Sequence, residues 1–289
     1  MRMQSASPAL ESLESMVRLA LEEDHAFNDA TSQAVVPEAA RGRARIIAKA
    51  HGVLAGRAFA EAAFQICCPD GQFEWSAQDG DAVEPGQTVL QCEGAARGLL
   101  AAERTALNFL QQLSGVASLT AQAVQEAGGD FLVLDTRKTV PGLRDAQKAA
   151  VVAGGGVNHR RDLSDQLLLK ENHFAFSGLS YRETVRAAVA AAQGKPVGAE
   201  AMDLEQALAA LDEGASYVML DNFPSETLAE QVARLRESHP QAVVEVSGGL
   251  TPERLAWMRT AGIDRVSLGA LTHSASALDF SFLFDGALS

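Results

Sequence analysis

The stretch SYVMLDNFPSETLAEQVARLRESHPQAVVEVS (216–247) decides the fold. It opens and closes on short apolar runs, YVMLD (217–221) and VVEVS (243–247), with the charged, helix-forming segment SETLAEQVARLRES between them. A continuous apolar run, as opposed to strict alternation, reads as a strand buried on both faces. A strand–helix–strand order then gives a parallel pair covered by its crossover helix. The same kind of run recurs at FLVLD (131–135), LLLK (167–170), PVGAE (196–200) and RVSLG (265–269). Most are separated by Ala-rich or charged helical stretches such as SYRETVRAAVAAAQ. From about residue 116 onward the chain is therefore expected to be α/β. The strand count falls one or two short of an eight-fold barrel. A barrel is still expected over an open doubly wound sheet, because no Gly-x-Gly-x-x-Gly turn opens the first strand.

The first 115 residues lack this alternation. Ser7-Pro8 forms an N-cap and first helical residue, and Leu10, Leu13, Val17 and Leu21 mark one face of an opening helix. RARIIAKA (43–50) reads as a strand, GRAFAEAAFQ (56–65) as a helix, and DGDAVEPGQTVLQCEG (79–94) as short strands between turns. GLLAAERTALNFLQQLSG (98–115) reads as a long helix. This half is mixed α+β.

Composition narrows the function. The 289 residues are 47% hydrophobic and carry a formal net charge of −13, the profile of an enzyme-sized globular chain. That balance opposes general affinity for nucleic acid or an anionic membrane. Cys67, Cys68 and Cys92 are odd in number and form no CxxC, so neither a disulfide framework nor a structural zinc site is expected, and a reducing cytoplasm fits best. The N-terminal segment has no basic region followed by an apolar run, and no 18-residue apolar span occurs, so neither a signal peptide nor a membrane crossing is expected.

Against this acidic background, cations gather in one region: Arg137, Lys138, Arg144, Lys148, His159, Arg160, Arg161 and Lys170. Several lie at the ends of the predicted strands. Asp135 leads into Arg137-Lys138, and the other runs end on Lys170, Glu200, Asp221, Ser247-Gly248-Gly249 and Gly269. In a (β/α) barrel the C-terminal ends of the strands form one rim, so these distant residues would share one place. The guanidinium forks suit carboxylate or phosphate, which points to a small polyanion as substrate. The glycines at 248, 249 and 269 would let backbone N–H groups approach a phosphate. Glu200 and Asp221 could coordinate Mg²⁺, hold ribose hydroxyls or stabilise positive charge developing on a sugar. In the helix 98–115, Leu99, Leu100, Leu107 and Leu110 form an apolar stripe that contains Glu103 and borders Arg104, a pattern that suits an interface.

These motifs resemble the quinolinate phosphoribosyltransferase family along almost the whole chain. The resemblance lies in EDHAFNDATS, ERTALNFLQQLSGVAS, LDTRKTVPGLRDAQKAAVVAGGGVNHR, LLLKENH, VMLDNF, EVSGGLT and VSLGALTHSASALDFS. It implies an N-terminal α+β open-faced sandwich domain (1–115), then a seven-stranded α/β barrel (116–289) whose C-terminal tail packs back on the first domain. It implies a homodimer or higher oligomer with active sites shared between subunits. Arg137, Lys138, His159, Arg160 and Lys170 would hold the two carboxylates of quinolinate and the pyrophosphate of phosphoribosyl pyrophosphate. Arg104 would reach in from the partner subunit. Glu200 and Asp221 would stand near the ribose and Mg²⁺, while Ser247, Gly248, Gly249 and Gly269 would cradle the 5′-phosphate. Lys138, Lys170, Glu200 and Asp221 are the expected catalytic residues; no organic cofactor is expected.

Two positions depart from the family pattern. Gly198-Ala199-Glu200 keeps one of two acids usual there, and Arg161-Asp162 replaces smaller residues. The implied reaction is phosphoribosyl transfer to quinolinate with decarboxylation, giving nicotinate mononucleotide, pyrophosphate and CO₂. The rivals are a related phosphoribosyltransferase with another base, a Schiff-base aldolase using Lys170, and a silent metabolite-binding protein.

Overall fold

The computed structural model describes residues 10–287; the expected cap at Ser7-Pro8 lies outside them. In chain order the first half holds helices α1 (Leu10–Glu23) and α2 (Ala30–Val35), strands β1 (Arg41–Ala48) and β2 (Gly52–Val53), then α3 (Arg57–Cys67). Strands β3 (Gln72–Trp75), β4 (Ala82–Val83) and β5 (Thr88–Ala95) follow, then helix α4 (Ala96–Ala127). The second half runs β6 (Leu132–Leu134), α5 (Arg144–Ala153), β7 (Leu167–Leu169), α6 (Glu171–Phe176), α7 (Tyr181–Ala191), β8 (Val197–Ala201) and α8 (Leu204–Asp212). It ends with β9 (Tyr217–Asp221), α9 (Ser225–Ser238), β10 (Val243–Ser247), β11 (Arg265–Ser267), α10 (Ala270–His273) and β12 (Phe280–Ala287). The chain divides into two compact units: residues 1–121, 140–155 and 274–289 form the first, and 122–139 with 156–273 the second. The position 115/116 falls inside α4.

In the first unit an antiparallel sheet runs β12-β1-β5-β3, so the last strand of the chain pairs with the first. β1 alternates as a half-covered strand must: Gly42, Ala44, Ile46 and Ala48 are buried, while Arg41 and Arg43 face outward. Phe64 of α3 stacks on Phe73 and Phe282, and Phe59 stacks on Phe109 of α4, which fixes the helices over the apolar face. Cross-strand ion pairs Arg43–Glu93 and Arg45–Asp285 lie on the outer face.

Helix α4 is longer than the expected 98–115. Its apolar stripe continues through Val116, Thr120, Ala123 and Ala127, all buried, so nothing in the pattern ends it at Gly115. Gly115 instead allows close approach: a Cβ there would overlap the Ser276 carbonyl oxygen.

In the second unit six parallel strands run in the order β6-β11-β10-β9-β8-β7. YVMLD and VVEVS coincide with β9 and β10, and β9 is buried at four of its five positions. α9 turns Leu228, Val232 and Leu235 inward, all nearly inaccessible, as its three- and four-residue spacing dictates. α7 begins on a reciprocal Ser180/Glu183 capping box, and Asp203 caps α8. The expected barrel has seven strands; six form the ladder, and Val157 takes the next place beside β6 through one isolated parallel bridge. Just beyond that bridge the Asp135 carboxylate, fully buried, accepts the His159 N–H at 2.9 Å, a side-chain bond in place of a ladder bond. Among the described residues no helix is long and apolar enough to cross a membrane.

Helix propensity alone would make Gly115→Ala stabilising by about 1 kcal/mol. The close approach of Ser276 reverses that sign, so the melting temperature should fall by about 4 °C or more. An unchanged or raised melting temperature would show that α4 and the returning segment are not packed this tightly.

Candidate active site

Strand register assembles the site. Gly198 pairs with Tyr217 and Glu200 with Met219; Glu245 also pairs with Met219, and Ser247 with Asp221. Residues in register point to the same side, and that side alternates along a strand. Gly198, Glu200, Tyr217, Met219, Asp221, Glu245, Ser247 and Arg265 therefore share one face. Leu168, Tyr217 and Met219 form a buried apolar cluster with Val243 packed against it. The polar ends lie beyond it, at the C-terminal ends of the strands.

Lys170 caps α6, directly after β7, and its Nζ contacts the Glu200 carboxylate. Asp221 ends β9, its Oδ2 accepting a 3.0 Å hydrogen bond from Asn222 Nδ2. Asn222 takes a left-handed backbone (φ 55) and donates its N–H to the Ser247 carbonyl. Gly248 (φ 100) and Gly249 (φ 57) follow; a Cβ at Gly248 would overlap the Asn222 side chain. Gly269 is equally confined, since a Cβ there would lie 2.9 Å from Lys138 Cδ and 3.0 Å from His273 Nε2. Thr272 Oγ1 donates to the Lys138 carbonyl at 2.8 Å, tying the loop after β6 to α10. At Gly248 both backbone conformation and close approach exclude a side chain, at Gly249 backbone conformation does, and at Gly269 close approach crowds one.

Arg160 is 7% exposed. Burial and then the neighbouring Arg137 hold its guanidinium below its ordinary range, while Tyr217 and Glu200 act the other way. Arg160 Nη1 donates to the Gln166 carbonyl at 3.2 Å. The structure thus brings Arg137 near Arg160, Lys170 onto Glu200, Lys138 onto Gly269, and Asp221 beside Ser247 and Gly248, all in the second unit. His159 is buried, with Nε2 3.4 Å from Glu245. Arg104 stands exposed on α4 in the first unit, 3.9 Å from Glu103, whose carboxyl burial pushes up.

Glu200 and Asp221 are the acids available for a metal. Among the described residues no group of three or more His, Cys, Asp or Glu side chains stands ready to hold an ion. The pair fits Mg²⁺ that takes most of its oxygens from substrate phosphates and water, the usual Mg²⁺ habit, and does not fit an all-protein cage. The second acid of the family pattern has no room: a Cβ at Gly198 would overlap the Tyr217 ring.

Sequence reasoning missed the layer under the rim. Glu245 is fully buried inside β10, between Arg265 Nε at 2.7 Å and His159 Nε2 at 3.4 Å. Burial pushes its carboxyl up, but His159, Arg265 and Ser267 outweigh that and hold it below the ordinary range. The signal was present as a lone acid inside the apolar run VVEVS.

Cations gather at the strand ends of a parallel sheet, Arg160 buried and Arg137, Lys138 and Lys170 more open, with acids opposite and glycine turns beside them, an arrangement that fits an α/β enzyme. Residues 29–114 match the profile of the quinolinate phosphoribosyl transferase N-terminal domain, and residues 116–283 that of its C-terminal domain. The nicotinate-nucleotide pyrophosphorylase [carboxylating] of Mycobacterium leprae is 40% identical over 267 residues, covering 91% of this chain and 94% of that one. Its namesake from Rattus norvegicus is 40% identical over 86% of this chain and 83% of its own. The solved nicotinate-nucleotide pyrophosphorylase of Francisella tularensis superposes with a TM-score of 0.92 at 33% identity, covering 99% of this chain and 100% of that one. The chain belongs to the quinolinate phosphoribosyltransferase family.

The packing of Gly198 against Tyr217 has a thermodynamic signature. Gly198→Ala should destabilise the fold by about 1–3 kcal/mol through overpacking. Adding Tyr217→Val in the same chain should recover most of that loss, whereas Tyr217→Phe should not. Additive effects in all combinations, measured by urea unfolding, would mean that the two residues do not meet.

Proposed function

We propose that the chain transfers the phosphoribosyl group of phosphoribosyl pyrophosphate to quinolinate with decarboxylation, giving nicotinate mononucleotide, pyrophosphate and CO₂. The activity is that of its family and of relatives named for it. The site assignment rests on Arg160, 7% exposed at the rim, whose guanidinium burial and then the charge of Arg137 hold below the ordinary range. Two guanidinium groups brought together against their repulsion suit a ligand with more than one negative charge.

Arg137 and Arg160 would grip the carboxylates of quinolinate, with Lys138 and Lys170 on the diphosphate. The amides at Gly248, Gly249 and Gly269, with Ser247, would cradle the 5′-phosphate. The carbon–nitrogen bond forms at ribose C1 as the bond to pyrophosphate breaks, and Glu200 and Asp221 stabilise the positive charge that develops on the sugar. The quaternary ring nitrogen then draws in the electron pair left on C2 as the adjacent carboxylate departs as CO₂, and a proton from water replaces it. Mg²⁺ arriving with the diphosphate would neutralise the leaving pyrophosphate, with Glu200 and Asp221 as its protein partners. The contact between Lys170 Nζ and Glu200 suits a cation and opposes an amine nucleophile, which weighs against Schiff-base chemistry.

A homodimer with shared sites is part of this reading, supported by the exposure of Arg104 beside a buried apolar stripe. The free thiols of Cys67, Cys68 and Cys92 support a reducing compartment, and we place the enzyme in the cytoplasm.

Quinolinate should be turned over in the presence of Mg²⁺ and phosphoribosyl pyrophosphate, with kcat/KM for nicotinate roughly ten-thousandfold lower, because a site built to grip two carboxylates discriminates strongly against an acid that lacks one. Comparable values for the two acids would remove the assignment. Arg104→Ala and Arg137→Ala homodimers should each be nearly inactive, yet mixing with verified subunit exchange should restore about a quarter of wild-type activity, as random pairing makes half the dimers mixed with one intact site each. No recovery would place Arg104 in its own subunit's site.

A further inference from the structure

Five side chains of the second unit close on one another beneath the rim. Glu245 lies between Arg265 and His159, as described. The Arg265 guanidinium carbon sits 4.2 Å from the centre of the Tyr217 ring. Tyr217 Oη accepts a 3.1 Å hydrogen bond from Gln166 Nε2, and that nitrogen lies 3.4 Å from His159 Nδ1. The backbone N–H of Arg160 donates to the same Nδ1 at 2.7 Å. A ring nitrogen that accepts from a backbone N–H uses its lone pair and carries no proton. The imidazole proton is therefore on Nε2, the atom facing Glu245.

We propose that this closed ring holds His159 as the neutral Nε2–H imidazole, that Tyr217 and Arg265 are its positioning residues, and that His159 serves the reaction by fixing Arg160 and adds no positive charge to the pocket. A buried carboxylate whose only partner was an imidazole would draw a second proton onto it. Arg265 supplies the countercharge to Glu245 instead, at 2.7 Å. Tyr217 lays its ring face against that guanidinium and gives Gln166 an acceptor, which turns the amide nitrogen toward Nδ1. Only a residue without a side chain at 198 admits the phenol. The absent acid at Gly198 and the presence of Tyr217 are thus one arrangement. The positive charge that meets the substrate comes from Arg137, Lys138, Arg160 and Lys170.

The kinetic part of this inference rests on the activity proposed above; the tautomer does not. The test uses full-length protein labelled with ¹⁵N-histidine, read by long-range proton–nitrogen NMR at neutral pH without substrate, with His159 assigned by its loss in His159→Gln. Wild-type protein should show one unprotonated and one protonated ring nitrogen for His159. In Arg265→Met, which opens the ring of contacts, the His159 nitrogen signals should move away from this pattern. Tyr217→Phe, which removes one oxygen, should raise KM for quinolinate by about tenfold while leaving kcat nearly unchanged. A cationic His159 in the wild type overturns the proposal, and so does an unchanged spectrum in folded Arg265→Met. Unaltered KM in Tyr217→Phe removes the role of the phenol. Should Arg265→Met fail to fold, the wild-type spectrum and the Tyr217→Phe kinetics still decide. Wild-type protein that leaves quinolinate untouched but shows the neutral ring would sink the activity and leave the tautomer standing.

Discussion

A carboxylate with no solvent exposure, Glu245, sits in the middle of a parallel sheet, and the second unit is built around it. An ionised acid removed from water costs several kcal/mol unless its surroundings compensate. Compensation comes from Arg265 on the neighbouring strand and from His159 in the segment after Val157. Each then demands its own neighbours: Arg265 the face of Tyr217, Tyr217 the vacancy at Gly198 and the amide of Gln166, His159 the N–H of Arg160. Packing in this layer fixes where the next layer, the rim, can place its charges.

The rim answers a contradiction in composition. A chain of net charge −13 buries Arg160 at its strand ends, within the field of the half-buried Arg137. Burial strengthens the charge that Arg160 carries there, and Glu200 and Asp221 stand on the same sheet face. Under the proposed function, a dicarboxylate and a diphosphate bound there would turn repulsion among the cations into attraction for substrate.

The parallel sheet was legible because continuous apolar runs bounded by polar strand ends carry both period and length. YVMLD and VVEVS match their strands residue for residue. Helix α4 outran its expected end because Gly115, taken as a stop, keeps a right-handed backbone and serves close packing. The rim cations were legible as residue types at strand ends. Tyr217 and Arg265 were not, since pairing register decides which side of a buried strand a residue faces, and a single strand's sequence does not reveal register; Glu245 showed only as a lone acid inside an apolar run. Gly198 was read as a missing acid; its physical meaning needed the tyrosine 19 residues later in the chain, beside it in the sheet.

The account's central claim is that Glu245 and Arg265 stabilise the second unit as a coupled pair. A double-mutant cycle in urea unfolding tests it most directly, with Glu245→Gln, Arg265→Met and the double variant. Each single change should cost about 3 kcal/mol or more by leaving a buried charge uncompensated, and the double should cost clearly less than their sum. Additive losses, or single variants as stable as the wild type, would contradict the account.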